Sequence, residues 1–119
     1  MRRRRTTILG VAAIGAMLAA PAVRADDTIT GEVVDLSCYL GHPETSKGAS
    51  HKKCAETCAK KGLPMGLLTD DSQVFLLVED HENPKGYATA IDSAAKTITV
   101  EGRKVAQGGL TGIVVESVK

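Results

Sequence analysis

After residue 27 the chain alternates short apolar runs with turns rich in glycine and polar residues. Runs of β-branched and apolar residues bounded by such turns predict strands. Five strands are predicted, at Thr28–Cys38, Met65–Leu68, Val74–Glu79, Thr97–Val105 and Leu110–Val118. Side chains alternate between the two faces of a strand, so an unbroken first strand would place Cys38 on the core-facing side with Val34 and Leu36.

One segment has a clear helical pattern. Ser50 is a suitable N-cap for a helix over His51–Lys61, which a glycine and a proline then end. At about 100° per residue, His51, Cys54 and Cys58 fall within an arc of roughly 60°. The sequence therefore predicts that one face of this helix carries three possible metal ligands.

The order of the predicted elements indicates the fold. A second, shorter helix is predicted from Pro84 to about Ala95, between the third and fourth strands. Without the segment that follows the first strand, five strands and one helix remain, in the order of a small Greek-key barrel of the OB type. We predict a mainly β protein with two short helices: a five-stranded OB-like barrel with a helix-bearing Cys/His insertion after strand 1.

The N-terminus has the three parts of a secretory signal peptide. Arg2–Arg5 are basic, Ile8–Ala20 are apolar, and Val23–Ala25 place small residues at the positions that determine cleavage. The apolar run of 13 residues is shorter than a membrane-spanning helix, which needs about 18 or more. We predict a cleaved signal peptide at residues 1–25 and a single periplasmic or secreted domain at 26–119, with no membrane attachment after cleavage.

Charge and composition argue against nucleic acid as a partner. The leader carries five arginines and no acidic residue, so the chain's 15 basic and 14 acidic residues become 10 and 14 after cleavage, a net charge of −4. The mature chain therefore lacks the excess of basic residues that is typical of nucleic-acid-binding proteins. Aromatic residues for base stacking are also scarce, the three in the chain being Tyr39, Phe75 and Tyr87.

All three cysteines of the chain lie between Cys38 and Cys58. An odd number of cysteines in an exported protein indicates a disulfide with a free thiol, an intermolecular bridge or a metal site. Thiolate and imidazole are the ligands of zinc, and thiolate also suits copper(I). The preferred interpretation is a copper or zinc ion held by Cys38, His51, Cys54 and Cys58. The protein would handle metal, with the metal ion and a periplasmic protein as its partners.

Two alternatives remain open. In the first, Cys38 forms a disulfide with Cys54 or Cys58, and the chain is a stapled interaction module with one free thiol. In the second, Cys54 and Cys58 form a thiol redox couple. No hydrolase motif surrounds the serines. Because a closed set of four ligands leaves no position for a substrate, we expect a protein that is not an enzyme unless the redox alternative holds.

Several blocks of the chain resemble a family of small exported bacterial proteins: V-V-D-L-S-C-Y-L, H-K-K-C-A-E-T-C-A-K-K-G-L-P-M-G-L-L-T-D-D, D-H-E-N-P-K and G-G-L-T-G-I-V-V-E-S-V. The resemblance covers nearly all of residues 29–118, and H-x-x-C-A-x-x-C-A is its most specific part. The family pattern has counterparts of Cys38, His51, Cys54, Cys58, Asp80, His81, Asn83 and Pro84. His81, in the loop Asp80–Pro84, could approach the cluster as a further ligand, and its place in the family pattern supports it. The resemblance implies no activity or substrate.

Overall fold

The computed structural model of this protein describes residues 27–119, and the predicted signal peptide lies outside this range. The described elements are β1 Asp27–Asp35, α1 Leu36–Tyr39, α2 Lys52–Lys60, β2 Met65–Leu68, β3 Val74–Glu79, α3 Pro84–Asp92, β4 Thr97–Gln107 and β5 Leu110–Val118. A 3₁₀ turn at Ala49–His51 precedes α2. Within residues 27–119, every helix is too short or too polar to cross a membrane.

The five strands close into a barrel in the order β1-β2-β3-β5-β4. Neighbouring strands are antiparallel except β3 and β5, which run parallel. The long strand β1 closes the barrel because its first half pairs with β4 and its second half with β2. With α3 between β3 and β4, this arrangement confirms the predicted OB-like barrel and its helix-bearing insertion after strand 1.

Aliphatic side chains from alternate strand positions fill the barrel. The largest fully buried ones are Met65, Leu67, Ile113, Val33, Val100 and Val115. Helix α3 adds Ala90 to the same cluster. Its backbone approaches β5 at Gly86, where a Cβ atom would lie 2.6 Å from the carbonyl oxygen of Glu116. This packing makes the barrel a rigid base for the insertion.

A second apolar cluster lies outside this core and fixes the position of α1. Leu36, the first residue of α1, packs with Val34 and Leu68, and the cluster is completed by the half-buried side chains of Tyr39, Val74 and Leu76. Gly66 on β2 leaves room for Leu36, since a Cβ atom at Gly66 would lie 2.7 Å from Leu36 Cδ2. Helix α1, and Cys38 with it, is therefore held against the barrel by apolar packing.

The prediction that strand 1 reaches Cys38 is wrong. The strand ends at Asp35, whose carboxylate oxygen Oδ1 accepts a hydrogen bond of 2.8 Å from the backbone N–H of Cys38. A carboxylate at this position satisfies a free N–H in the first turn and starts a helix. Cys38 consequently projects from a short helix rather than from a strand end.

The start of the predicted helix at 51–61 is also corrected. Ser50 lies inside the 3₁₀ turn and is not the cap, and α2 begins at Lys52 without a side-chain cap. The predicted end is confirmed. Gly62 has φ of +74°, and the N–H groups of Gly62 and Leu63 donate to the carbonyls of Ala59 and Cys58, a Schellman ending.

The remaining boundaries agree closely with the predictions. Strands β2, β3 and β5 have the predicted bounds, β4 continues to Gln107, and α3 ends at Asp92.

Candidate metal centre

Three thiol groups converge at the junction of the insertion and the barrel. Cys38 comes from α1, and Cys54 and Cys58 come from α2. Their sulfur atoms all lie within 4.8 Å of one another, and all three cysteines are free thiols. Two sulfurs bound to one zinc ion at about 2.3 Å each would be roughly 3.8 Å apart. The three thiols can therefore hold one metal ion after small side-chain movements.

The spacing within α2 explains how two of these thiols come together. Residues four apart lie one turn apart on the same face of a helix, as Cys54 and Cys58 do. The adjoining face packs on the barrel through Ala55, which is 1% exposed. Lys53 and Lys60 on the opposite side are exposed. Helix α2 thus packs on the barrel through Ala55 and leaves these lysines in solvent.

The thiols differ in their access to solvent. Cys54 is exposed, Cys38 is partly buried and Cys58 is buried. The site therefore runs from the protein surface inward, with Cys54 at its outer edge. A metal ion, or a thiol group of another molecule, can reach the site through Cys54 without any opening of the barrel.

A buried carboxylate and a histidine adjoin the thiols. The Nε2–H group of His51 donates to Asp35 Oδ2 at 2.7 Å, with 14% of the histidine side chain and none of the aspartate side chain exposed. Asp35, Cys38 and His51 form a second group whose ligand atoms lie within 4.8 Å of one another. Cys38 belongs to both groups.

A hydrogen bond to Glu32, which lies before Asp35 in β1, holds the loop that leads to His51. The backbone N–H of Gly48 donates to the Glu32 carboxylate at 2.5 Å. Ser46, two residues before, is only 2% exposed. Gly48 has φ of +76°, a conformation that glycine adopts without strain. Strand β1 thus fixes the insertion at two carboxylates, Glu32 and Asp35.

The predicted ligands therefore form two overlapping groups rather than a single set of four. Cys38, Cys54 and Cys58 make one group, and His51 reaches Cys38 within the other. Sequence reasoning missed Asp35. The available signal was its position three residues before Cys38 at the end of a strand, because aspartate is a preferred helix N-cap.

The other two histidines lie in neither group. His42 is an exposed loop residue, and its backbone N–H donates to the Cys38 carbonyl at 2.8 Å. His81 lies in the turn after β3 and lines an open cleft with Asp80, Glu82 and Arg103. Within residues 27–119, the groups able to hold a metal do not include His81.

Asp35 and burial together raise the pKa values of Cys38 and Cys58. Its hydrogen bond with the Cys38 thiol, together with burial, raises the pKa of Cys38 to about 12. Burial raises the pKa of Cys58, and the nearby Asp35 and Cys54 add to this effect. Burial alone would raise the pKa of Asp35, but hydrogen bonds from Cys38 and His51 outweigh it, so this pKa is lowered. Cys38 and Cys58 therefore remain protonated near neutral pH until a metal ion displaces their protons.

Comparisons of this chain with protein-family models, curated proteins and solved structures give no match.

Proposed function

We propose that this protein is exported and binds a copper(I) or zinc ion through Cys38, Cys54 and Cys58. The observation that supports this most directly is the convergence of three thiol sulfurs, all within 4.8 Å of one another, from two separate helices. Thiolates favour copper(I) and zinc over hard cations such as magnesium. The signal-peptide pattern and the family resemblance support export.

The donor set favours copper(I) over zinc. Two or three thiolates satisfy copper(I), whereas a structural zinc site has four protein ligands. His51 is the fourth ligand predicted from the sequence, and in the structure its ring is held by Asp35 beside Cys38. For zinc, His51 would have to approach Cys54 and Cys58 more closely. For copper(I), the three sulfurs suffice.

The open edge of the site supports a role in metal handling. In a closed structural site the ligands are shielded, but Cys54 is exposed. A partner protein with its own thiol can approach this residue and exchange the ion. We therefore propose metal handling, with a periplasmic protein as the exchange partner.

The decisive measurement is the native mass of the exported protein purified without chelator, with thiols counted after denaturation. A mass increase of one metal ion together with three free thiols is expected, and the increment identifies the ion. A protein two hydrogen atoms lighter, with no metal and one thiol, would instead be the disulfide-stapled module. Reversible cycling of Cys54 and Cys58 without metal would favour the redox protein.

A further inference from the structure

We propose that Asp35, Cys38 and His51 form a second metal subsite, which takes a divalent ion of the zinc class and shares the Cys38 thiolate with the three-thiol site. The protein would then hold two ions side by side, copper(I) among the sulfurs and zinc at the mixed subsite. This inference deepens the proposed function and rests on it only through the shared residue Cys38.

The positions of the donor atoms favour two sites over one. A single tetrahedral site would bring His51 close to all three sulfurs, yet the structure places its ring beside Cys38 and Asp35 only. Asp35 contributes a carboxylate oxygen, His51 a ring nitrogen and Cys38 a sulfur, all within 4.8 Å of one another. The two groups of donors share Cys38.

The donor atoms of the two groups suit different metal ions. Zinc accepts carboxylate oxygen, imidazole nitrogen and thiolate sulfur at about 2.0–2.3 Å, and three protein ligands commonly leave its fourth position to water. Copper(I) prefers sulfur. The mixed subsite therefore suits a borderline divalent ion, and the three-thiol site suits a soft monovalent one. A thiolate has enough lone pairs to bind both ions at once.

The buried negative charge at this place favours a divalent ion. Asp35 is completely buried, and among the ion pairs of residues 27–119 its partner is His51. A buried carboxylate is costly unless it is paired with positive charge or coordinates a metal. Three thiolates nearby would increase the negative charge once copper(I) is bound. A divalent ion between Asp35 and Cys38 would compensate for it.

Stepwise loading followed by native mass spectrometry tests the proposal. The full chain is reduced, stripped of metal and kept without oxygen, then given one equivalent of copper(I) and afterwards an excess of Zn²⁺. The wild type is expected to gain one copper and one zinc. Cys54→Ser should still bind zinc but hold copper(I) much more weakly, His51→Gln should bind copper but lose zinc, and Cys38→Ser should hold both ions weakly.

His81→Gln is the matched control for the histidine substitution, because His81 is exposed and lies outside both groups. This variant should gain one copper and one zinc, as the wild type does. Far-UV circular dichroism should show that every variant is folded. With Co²⁺ in place of zinc, the thiolate-to-cobalt charge-transfer band should persist in Cys54→Ser and disappear in Cys38→Ser.

The possible results separate this inference from the proposed function. A wild type that never binds more than one ion, or a His51→Gln variant that still binds both, overturns the second subsite. A wild type that binds zinc but no copper(I), with zinc retained in Cys54→Ser, overturns the three-thiol function and leaves the second subsite standing.

Discussion

Asp35 is the residue on which the local structure of the site depends. It ends β1, caps α1 through the Cys38 N–H and binds the ring of His51. These contacts occupy both carboxylate oxygens, and the side chain has no exposed surface. One buried carboxylate therefore sets where Cys38 and His51 lie relative to each other, and removal of its charge should affect both.

Asp35→Asn keeps the size of the side chain but loses this charge. We expect the free energy of unfolding of the metal-free protein to fall by about 1–3 kcal/mol, the usual cost of leaving a buried polar group unsatisfied. Urea denaturation measures it, with the exposed Asp70→Asn as control. Because the pKa of Asp35 is lowered from 3.8, the stability that its ionised form contributes is present above pH 3.8 and is lost as the pH falls below it. An equal loss of stability in Asp70→Asn would show that the buried contacts of Asp35 are not its cause.

Cys54→Ser removes the outermost thiol and leaves the fold intact, since Cys54 is exposed. We expect its metal content to fall and the stabilisation by added metal to disappear. A ligand at 100 times its Kd stabilises a protein by about 2.7 kcal/mol, which appears in the wild type as a higher Tm. Thermal unfolding with and without metal, and elemental analysis, check this. Thr57→Ser on the same helix should match the wild type.

The Cys38 thiol should react slowly with alkylating reagents in the metal-free protein. Its pKa of about 12 leaves little thiolate at pH 8, and only the thiolate is nucleophilic. Its rate of modification by iodoacetamide should continue to rise above pH 9, where the thiol of the unfolded chain levels off. The stability that the raised pKa of Cys38 contributes is fully present below pH 9 and is lost as the pH rises towards 12. Peptide mapping after timed alkylation measures the rate, and a plateau near pH 9 would contradict the role of Asp35.

At the level of elements, the barrel was predictable and α1 was not. The strands carry local signals, such as the apolar run of Val74–Val78 and the glycine turn before Leu110. Helix α1 has only four residues, too few for any periodic pattern, and it forms because Asp35 caps it and Leu36 packs over Gly66. That contact joins residues distant in sequence, which a local pattern does not reveal.

The candidate site was likewise predictable from the sequence only in part. Cys54 and Cys58 share a helix, so their spacing alone brings them together. His51 was correctly expected close to Cys38, but its partner Asp35 lies 16 residues earlier and on a different element. The pairing depends on how the insertion folds back onto β1, which the Glu32–Gly48 contact fixes. The sequence therefore indicated the ligand types, and tertiary structure decided their grouping.

Gly66→Ala tests the link between α1 and the metal site. An added Cβ atom would lie 2.7 Å from Leu36 Cδ2, so the Leu36 side chain must move, and we expect α1, which Leu36 anchors, to move with it. We expect metal affinity to fall about tenfold or more although no ligand is changed, together with about 1–3 kcal/mol of destabilisation. Competition with a chelator and urea denaturation measure the two effects. Gly41→Ala is the matched control, because its Cβ atom would meet nothing closer than 3.8 Å; an equal effect there would exclude the steric explanation.

At the scale of the whole molecule, the barrel and the insertion differ in how firmly they are held. Within residues 36–64 the buried apolar side chains are Leu36, Ala55 and Cys58, whereas the remainder of the described core comes from the barrel strands and from α3 with the turn after it. Regions with few buried apolar contacts open locally at low cost in free energy. The insertion is therefore the less stable part of the metal-free molecule.

Hydrogen exchange should show this difference directly. In the metal-free protein, amides of α2 should exchange faster than those of β4 and β5, which pair along nearly their whole length. Bound metal ties α1 to α2 through the cysteines, so it should slow exchange in the insertion and leave the barrel strands unchanged. Mass spectrometry of peptic fragments measures both regions, with Cys54→Ser as the control. Uniform slowing across the chain would contradict a local effect of the metal.

The two ends of the insertion lie side by side. Asp35 pairs with Met65 across β1 and β2. Leu36, the first residue of the insertion, donates its N–H to the carbonyl of Pro64 at 3.0 Å. The segment thus leaves the barrel and returns to it through one pair of adjacent strands, as a hairpin loop does. Such a segment can be exchanged for a short turn. It can also be transplanted into a hairpin of another barrel, provided that the hairpin has an aspartate and a glycine at the positions of Asp35 and Gly66.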